Sequence, residues 1–142
     1  MPGSTHEGLR LLLSNRPELV RELLAVIGVS LPAGPLVEVS SAYSDLAPAT
    51  YSADLVVAIE SARARAGIVV EVQNAIDADK SYAWPRYAAT EHARRRCATW
   101  VLVIATNERV AAWARRPIAT FQAGTAWVPL VLGPSQIPRI TR

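Results

Sequence analysis

The sequence predicts a single α/β domain, a mixed β-sheet flanked by helices with elements in the order ααβββαβαβ. Three observations carry that expectation. The chain has 142 residues, within the roughly 100–200 usual for one domain, and no linker long enough to separate two. Apolar residues make up 51% and charged residues 19%, enough for a core at this length and far from the composition of a disordered chain. Short Val/Ile-rich runs also alternate with segments whose apolar residues recur at helical spacing.

Each element has its own signal. Ser4 stands three residues before Glu7, the spacing of a capping box, and Leu9, Leu12 and Leu13 follow on one helical face. Pro17 suits the first turn of a second helix whose stripe is Leu19, Val20, Leu23, Leu24 and Ile27, with Gly28 as its stop. Segments 36–43, 52–60 and 67–74 read as strands, the last two joined by a polar connection ending in Gly67. Residues 77–97 read as a helix beginning near Ser81, with Pro85 in its early part. The apolar run 99–106 reads as a strand buried on both faces. Asn107 caps a short helix that Pro117 stops, and 126–132 reads as a last strand that Pro129 restricts to an edge.

Composition limits the function classes. No apolar run reaches the roughly 18 residues that span a bilayer, and the opening MPGSTHEGLR is too polar for a secretory signal. The single Cys97 excludes an internal disulfide and a cysteine-based zinc cluster, and predicts a reducing, cytoplasmic setting. The net charge of +3 is compatible with nucleic-acid binding without arguing for it. Of the 15 basic residues only Lys80 is a lysine; with 24 alanines beside it, the arginine excess reads as coding bias.

Chemistry is concentrated in the middle of the chain. Asp54 opens the run DLVVAI, and Glu71 and Gln73 interrupt IVVEVQ. On a strand Glu71 and Gln73 share a face, and a hairpin turning around residues 62–65 brings Asp54 opposite 71–73. Two carboxylates on adjacent strands form an oxygen-rich site suited to a hard divalent cation, which takes one or two carboxylates plus water. The same pattern is also the ordinary polar face of a half-exposed strand.

The stretches ADLVVAI and GIVVEVQ, followed by a helix carrying KSYAWPRYAA, resemble the PD-(D/E)XK nuclease superfamily. More narrowly they resemble its recombination-promoting nuclease/putative transposase group and related small actinobacterial proteins. The resemblance covers about residues 40–116 and implies a restriction-endonuclease-like fold and a Mg²⁺- or Mn²⁺-dependent DNA endonuclease. It implies that Asp54 and Glu71 hold the metal, with the Val72 carbonyl as a further ligand. Gln73 stands where the superfamily has its lysine, able to orient water but not to supply charge. Lys80, on the following helix, is the implied replacement, with Arg86 the next candidate, and Arg86 and Tyr87 are implied to meet DNA. A double-strand cut by so small a chain would require a homodimer. Gln73 in the lysine position also motivates another reading, a catalytically silent module that binds nucleic acid or protein.

Other features carry less. Glu18 or Glu22 could add an acid but also suit a solvated helix face, and Asp45 suits either a metal or a turn. Arg94, Arg95 and Arg96 favour a helix C-terminus and also suit a phosphate backbone. His6 and His92 have no partner at metal-ligand spacing and read as surface residues. The four tryptophans read as core or interface residues, with Trp84, beside Pro85 and Arg86, the most notable.

Overall fold

A computed structural model of the chain describes residues 4–40, 53–120 and 122–137. Helices α1 (Ser4–Asn15) and α2 (Glu18–Val26) lead into strands β1 (Val37–Val39), β2 (Leu55–Glu60) and β3 (Arg65–Gln73). Helix α3 (Lys80–Arg95), strand β4 (Ala98–Ala105) and helix α4 (Glu108–Ala114) come next. A two-residue pair, β5 (Ile118–Ala119) and β6 (Ala126–Trp127), precedes strand β7 (Leu130–Leu132) and a 3₁₀ turn (Pro134–Gln136). Asp45 and the expected strand residues 41–43 and Ser52 lie outside the described residues, as does the Ser4 side chain of the expected capping box.

The main sheet has the order β1-β2-β3-β4-β7 and is mixed: β1, β2 and β3 pair antiparallel, while β3, β4 and β7 pair parallel. Helices cover both faces. Against one, Leu13 of α1 and Val20, Leu23 and Leu24 of α2 pack on Val57, Ile59, Ile68, Val70, Leu102 and Ile104. Against the other, Trp84 and Tyr87 of α3 and Val110, Ala111 and Ala114 of α4 pack on Val56, Val69, Val101, Val103 and Val131. Both faces of β4 are therefore buried, which is why residues 101–105 are an unbroken apolar run.

Three local expectations need correction. The β2–β3 connection is shorter than expected, a turn over residues 61–64 closed by Ser61 N–H to the Ala64 carbonyl at 3.1 Å. Gly67 lies in β3, as the strand expected over 67–74 has it, and pairs with both Ala58 and Thr99, but the strand starts two residues earlier, at Arg65. Pro85 lies in the second turn of α3, where it costs the bond its N–H would have made to the Ser81 carbonyl. Finally, Pro129 splits the expected last strand: its first part pairs with β5 in a separate ribbon, and its second part is the sheet edge. Asn107 does cap α4, its side chain accepting from Val110 N–H at 2.9 Å.

The packed face of α3 is a stripe of Lys80, Trp84, Tyr87 and Glu91, spaced four, three and four. Glu91 is fully buried and is answered by Arg95 Nε at 2.7 Å. Its other oxygen lies 3.5 Å from the Arg94 guanidinium without an aligned hydrogen bond, so charge alone holds it. Arg95 also reaches Glu60 at 2.8 Å, tying the end of α3 to the end of β2. Arg94 and Arg95 are thus structural counter-ions. Glu18 is structural too: it accepts from Leu36 N–H at 2.7 Å and pairs with Arg21.

Removing Arg95 leaves a buried carboxylate with one poorly aligned partner. Arg95→Met is expected to lower stability in urea denaturation by about 3 kcal/mol. The double variant Glu91→Leu/Arg95→Met is expected to recover most of that loss, because no buried charge then remains.

Candidate functional site

The topology gathers the chemistry-bearing residues at one edge of the sheet. The C-terminal ends of the parallel strands β3 and β4 lie there, β2 starts there because it runs antiparallel to β3, and α3 starts there because it follows β3. Strand C-termini are the usual ligand edge of an open α/β sheet. The β2–β3 register pairs Leu55 with Val70, and continuing it by one residue sets Asp54 opposite Glu71.

These two acids interlock. Asp54 N–H donates to Glu71 Oε2 at 2.8 Å, and Val72 N–H donates to Asp54 Oδ2 at 2.9 Å. Each carboxylate therefore completes the backbone ladder of the other's strand where regular pairing stops. Glu71 is only 1% exposed. Its Oε1 accepts from Lys80 Nζ at 3.1 Å and from the Trp84 indole N–H at 3.3 Å. The ring of Trp84 is in turn set against Trp113, centroids 5.5 Å apart. Burial pushes the Glu71 carboxyl above the usual carboxylate range and the charge of Asp54 adds to this, while Lys80 and the Asp54 N–H oppose it. Burial lowers the Lys80 ammonium's affinity for its proton, but the charge and hydrogen bond of Glu71 outweigh that and leave it raised.

Tyr87 is buried beside this pair, and burial together with the negative charge of Glu71 raises its hydroxyl. At 2% exposure the ring is a wall of the site, with the cavity beside Lys80 on its open side. Arg86 is exposed and lines a 640 Å³ cavity with Asp77, Asp79, Lys80, Tyr82, Ala83 and Tyr87. Gln73 is buried, and its amide donates to the Ala75 carbonyl at 2.7 Å, fastening the chain as it leaves β3.

Two further residues meet the acids, contacts outside the sequence expectations. His6 of α1, 21% exposed, places Nε2 at 3.1 Å from Asp54 Oδ2. No spacing signals this contact, because α1 reaches the edge by packing across 48 residues of sequence. Trp84 does carry a signal, standing four residues after Lys80 and so on the same helical face. His92 is exposed, its Nδ1 at 2.8 Å from the Cys97 carbonyl, away from any such cluster.

Carboxylate capacity decides whether a cation fits. Each carboxylate oxygen offers about two acceptor positions. Glu71 Oε1 is filled by two donors and Asp54 Oδ2 meets Val72 and His6, whereas Glu71 Oε2 takes one donor and Asp54 Oδ1 takes none of these bonds. The Val72 carbonyl faces the same side as its N–H, by strand geometry, and so faces Asp54. Among the described residues no group of three or more His, Cys, Asp and Glu side chains is placed to hold a metal ion. The donor set fits a hard ion that completes its shell with water and backbone oxygen. The chain matches no family model, no curated protein and no solved structure. No helix among the described residues is long and apolar enough to cross a membrane.

The Lys80–Glu71 pair predicts a pH dependence. A raised Glu71 keeps its proton above 4.5 in the fold, so its charge costs stability as pH rises, and Lys80 offsets that cost. In chelator-treated protein, Lys80→Met is expected to cost about 2 kcal/mol near neutrality, less than a fully buried pair because the ammonium is partly solvated. The gap between wild type and variant is expected to widen as pH rises from 4.5. It should close again above 10.5, as the wild-type lysine loses its proton. Urea titrations at stepped pH measure it.

Proposed function

We propose that the chain is a Mg²⁺- or Mn²⁺-dependent endonuclease of the restriction-endonuclease-like kind, hydrolysing a phosphodiester of DNA at the Asp54–Glu71 edge. The observation that carries this reading is the Lys80–Glu71 contact. It sets the one lysine of the chain, from the following helix, beside the strand carboxylate whose neighbour Gln73 lacks a charge.

Asp54, Glu71 and the Val72 carbonyl would hold the ion, which when bound supplies an activated water and neutralises charge developing on phosphate. The chain's own residues do the rest. The two reciprocal backbone bonds fix the spacing of the carboxylates, so little reorganisation is needed to bind. Lys80 presents an ammonium next to Glu71, where it stabilises the extra negative charge of a five-coordinate phosphorus. Water attacks in line, the bond to the 3′-oxygen breaks, and a 5′-phosphate and a 3′-hydroxyl result. Arg86 lies on the outer side of the same helix, where a phosphate backbone would be held. A double-strand cut calls for two copies.

The near-complete burial of Glu71 favours a second reading, in which the Asp54–Glu71–Lys80 cluster is a structural lock in a silent binding module. Purified protein incubated with supercoiled plasmid and Mg²⁺ or Mn²⁺ separates the two. The nuclease is expected to nick the plasmid, to stop on chelation, and to lose about 100-fold or more in Asp54→Asn and Glu71→Gln. Lys80→Ala is expected to fall by a similar factor at unchanged metal requirement. Equal background in wild type and carboxylate variants would leave the silent module.

A further inference from the structure

Three cavities meet along the outer side of α3. The 640 Å³ cavity at Lys80 shares Tyr82 and Arg86 with a 450 Å³ cavity reaching Ala119 and Thr120 of the β5 side. That cavity shares Ser81, Tyr82 and Ala119 with a 310 Å³ cavity lined by Trp113 and Arg116. Tyr82 lines all three and is 82% exposed, the most exposed of the large hydrophobic side chains among the described residues. Its ring belongs to neither core cluster and stands where the three adjoin, in a groove along α3.

The charge along that groove is uneven. Asp77 and Asp79 line its Lys80 end, and Asp77 Oδ1 is engaged by the Asp79 N–H at 3.1 Å. Arg86 lines the 640 Å³ cavity at that end and the 450 Å³ one beside it, and Arg116 lines the 310 Å³ one; both are exposed. An exposed aromatic ring flanked by guanidiniums is the pairing used for single-stranded nucleic acid, with bases stacked on rings and phosphates tracked by cations. Stacking on Tyr82 also requires a base with a free π-face. In a duplex both faces are covered by neighbouring bases, so the ring can be used only by an unpaired or extruded base.

We propose that the α3 groove binds a single-stranded nucleic-acid segment, with one base stacked on Tyr82 and phosphates on Arg86 and Arg116. The strand leads to the Lys80 end, which rests on the nuclease reading for its role as the reacting end. This chain then selects unpaired regions of DNA (flaps, bubbles or tails) over uninterrupted duplex.

Fluorescence anisotropy in chelator tests this without any need for cleavage, using labelled dT12 and a 12-base-pair duplex with the full chain. Wild type is expected to bind dT12 at least about ten-fold tighter than the duplex. Tyr82→Ala is expected to weaken dT12 binding by about five- to a hundred-fold and Tyr82→Phe to change it less than about two-fold. Arg86→Gln is expected to reduce the salt slope by about 0.7. Duplex binding as tight as dT12 binding, equal affinities for wild type and Tyr82→Ala, or no binding of either probe would each overturn the proposal. Its failure is separable from that of the nuclease reading. Plasmid nicking with Tyr82-independent binding sinks only the groove, and Tyr82-dependent binding without metal-dependent nicking sinks only the nuclease.

Discussion

A carboxylate on the central strand of a sheet can be accommodated only where partners meet it from several sides, and the arrangement at Glu71 follows from that requirement. Its neighbour strand must stop pairing at Asp54 so that a backbone N–H is available to it. The following helix must begin at Lys80 so that an ammonium reaches it, and must turn Trp84 inward so that an indole N–H does. A carboxylate left unpaired there would cost about 3–5 kcal/mol. The geometry that makes the acid tolerable is also the geometry that could make it chemical.

Helix α3 repeats the same solution at its other end. Glu91 is buried as deeply as Glu71 and is met by Arg95, which binds outward to Glu60. Two aromatic residues between two charged ones make a helix whose packed face looks polar at both ends. Both charged ends are tied to the β2–β3 hairpin, so α3 cannot slide along the sheet without breaking an ion pair. Its opposite face carries Tyr82 and Arg86, and the ion pairs at the two ends of the packed face fix where that face stands.

Much of this could be read from residue order. Hairpin register follows from turn position, so Asp54 and Glu71 could be set opposite each other from the spacing of two Val-rich runs. Lys80 could be brought to them only through the family resemblance, which implies a cation on the following helix and leaves Arg86 as the next candidate. What escaped depended on packing across long separations or on runs too short to show a period. His6 approaches Asp54 from a helix 48 residues away. The β5–β6 ribbon consists of two-residue strands, shorter than any alternation can mark. The burial of Tyr87 has no simple signal either, because the stripe it belongs to has charged members, Lys80 and Glu91.

The lysine has a consequence of another kind. Every other long cationic side chain of this protein ends in a guanidinium, a group that does not give up its proton at any pH a folded protein survives. The charge that the arginines put over the surface is therefore a constant of the molecule. Among the long cationic side chains only Lys80 ends in an amine, and the fold has placed it against its most deeply buried strand acid, whose charge and hydrogen bond hold its proton more firmly still.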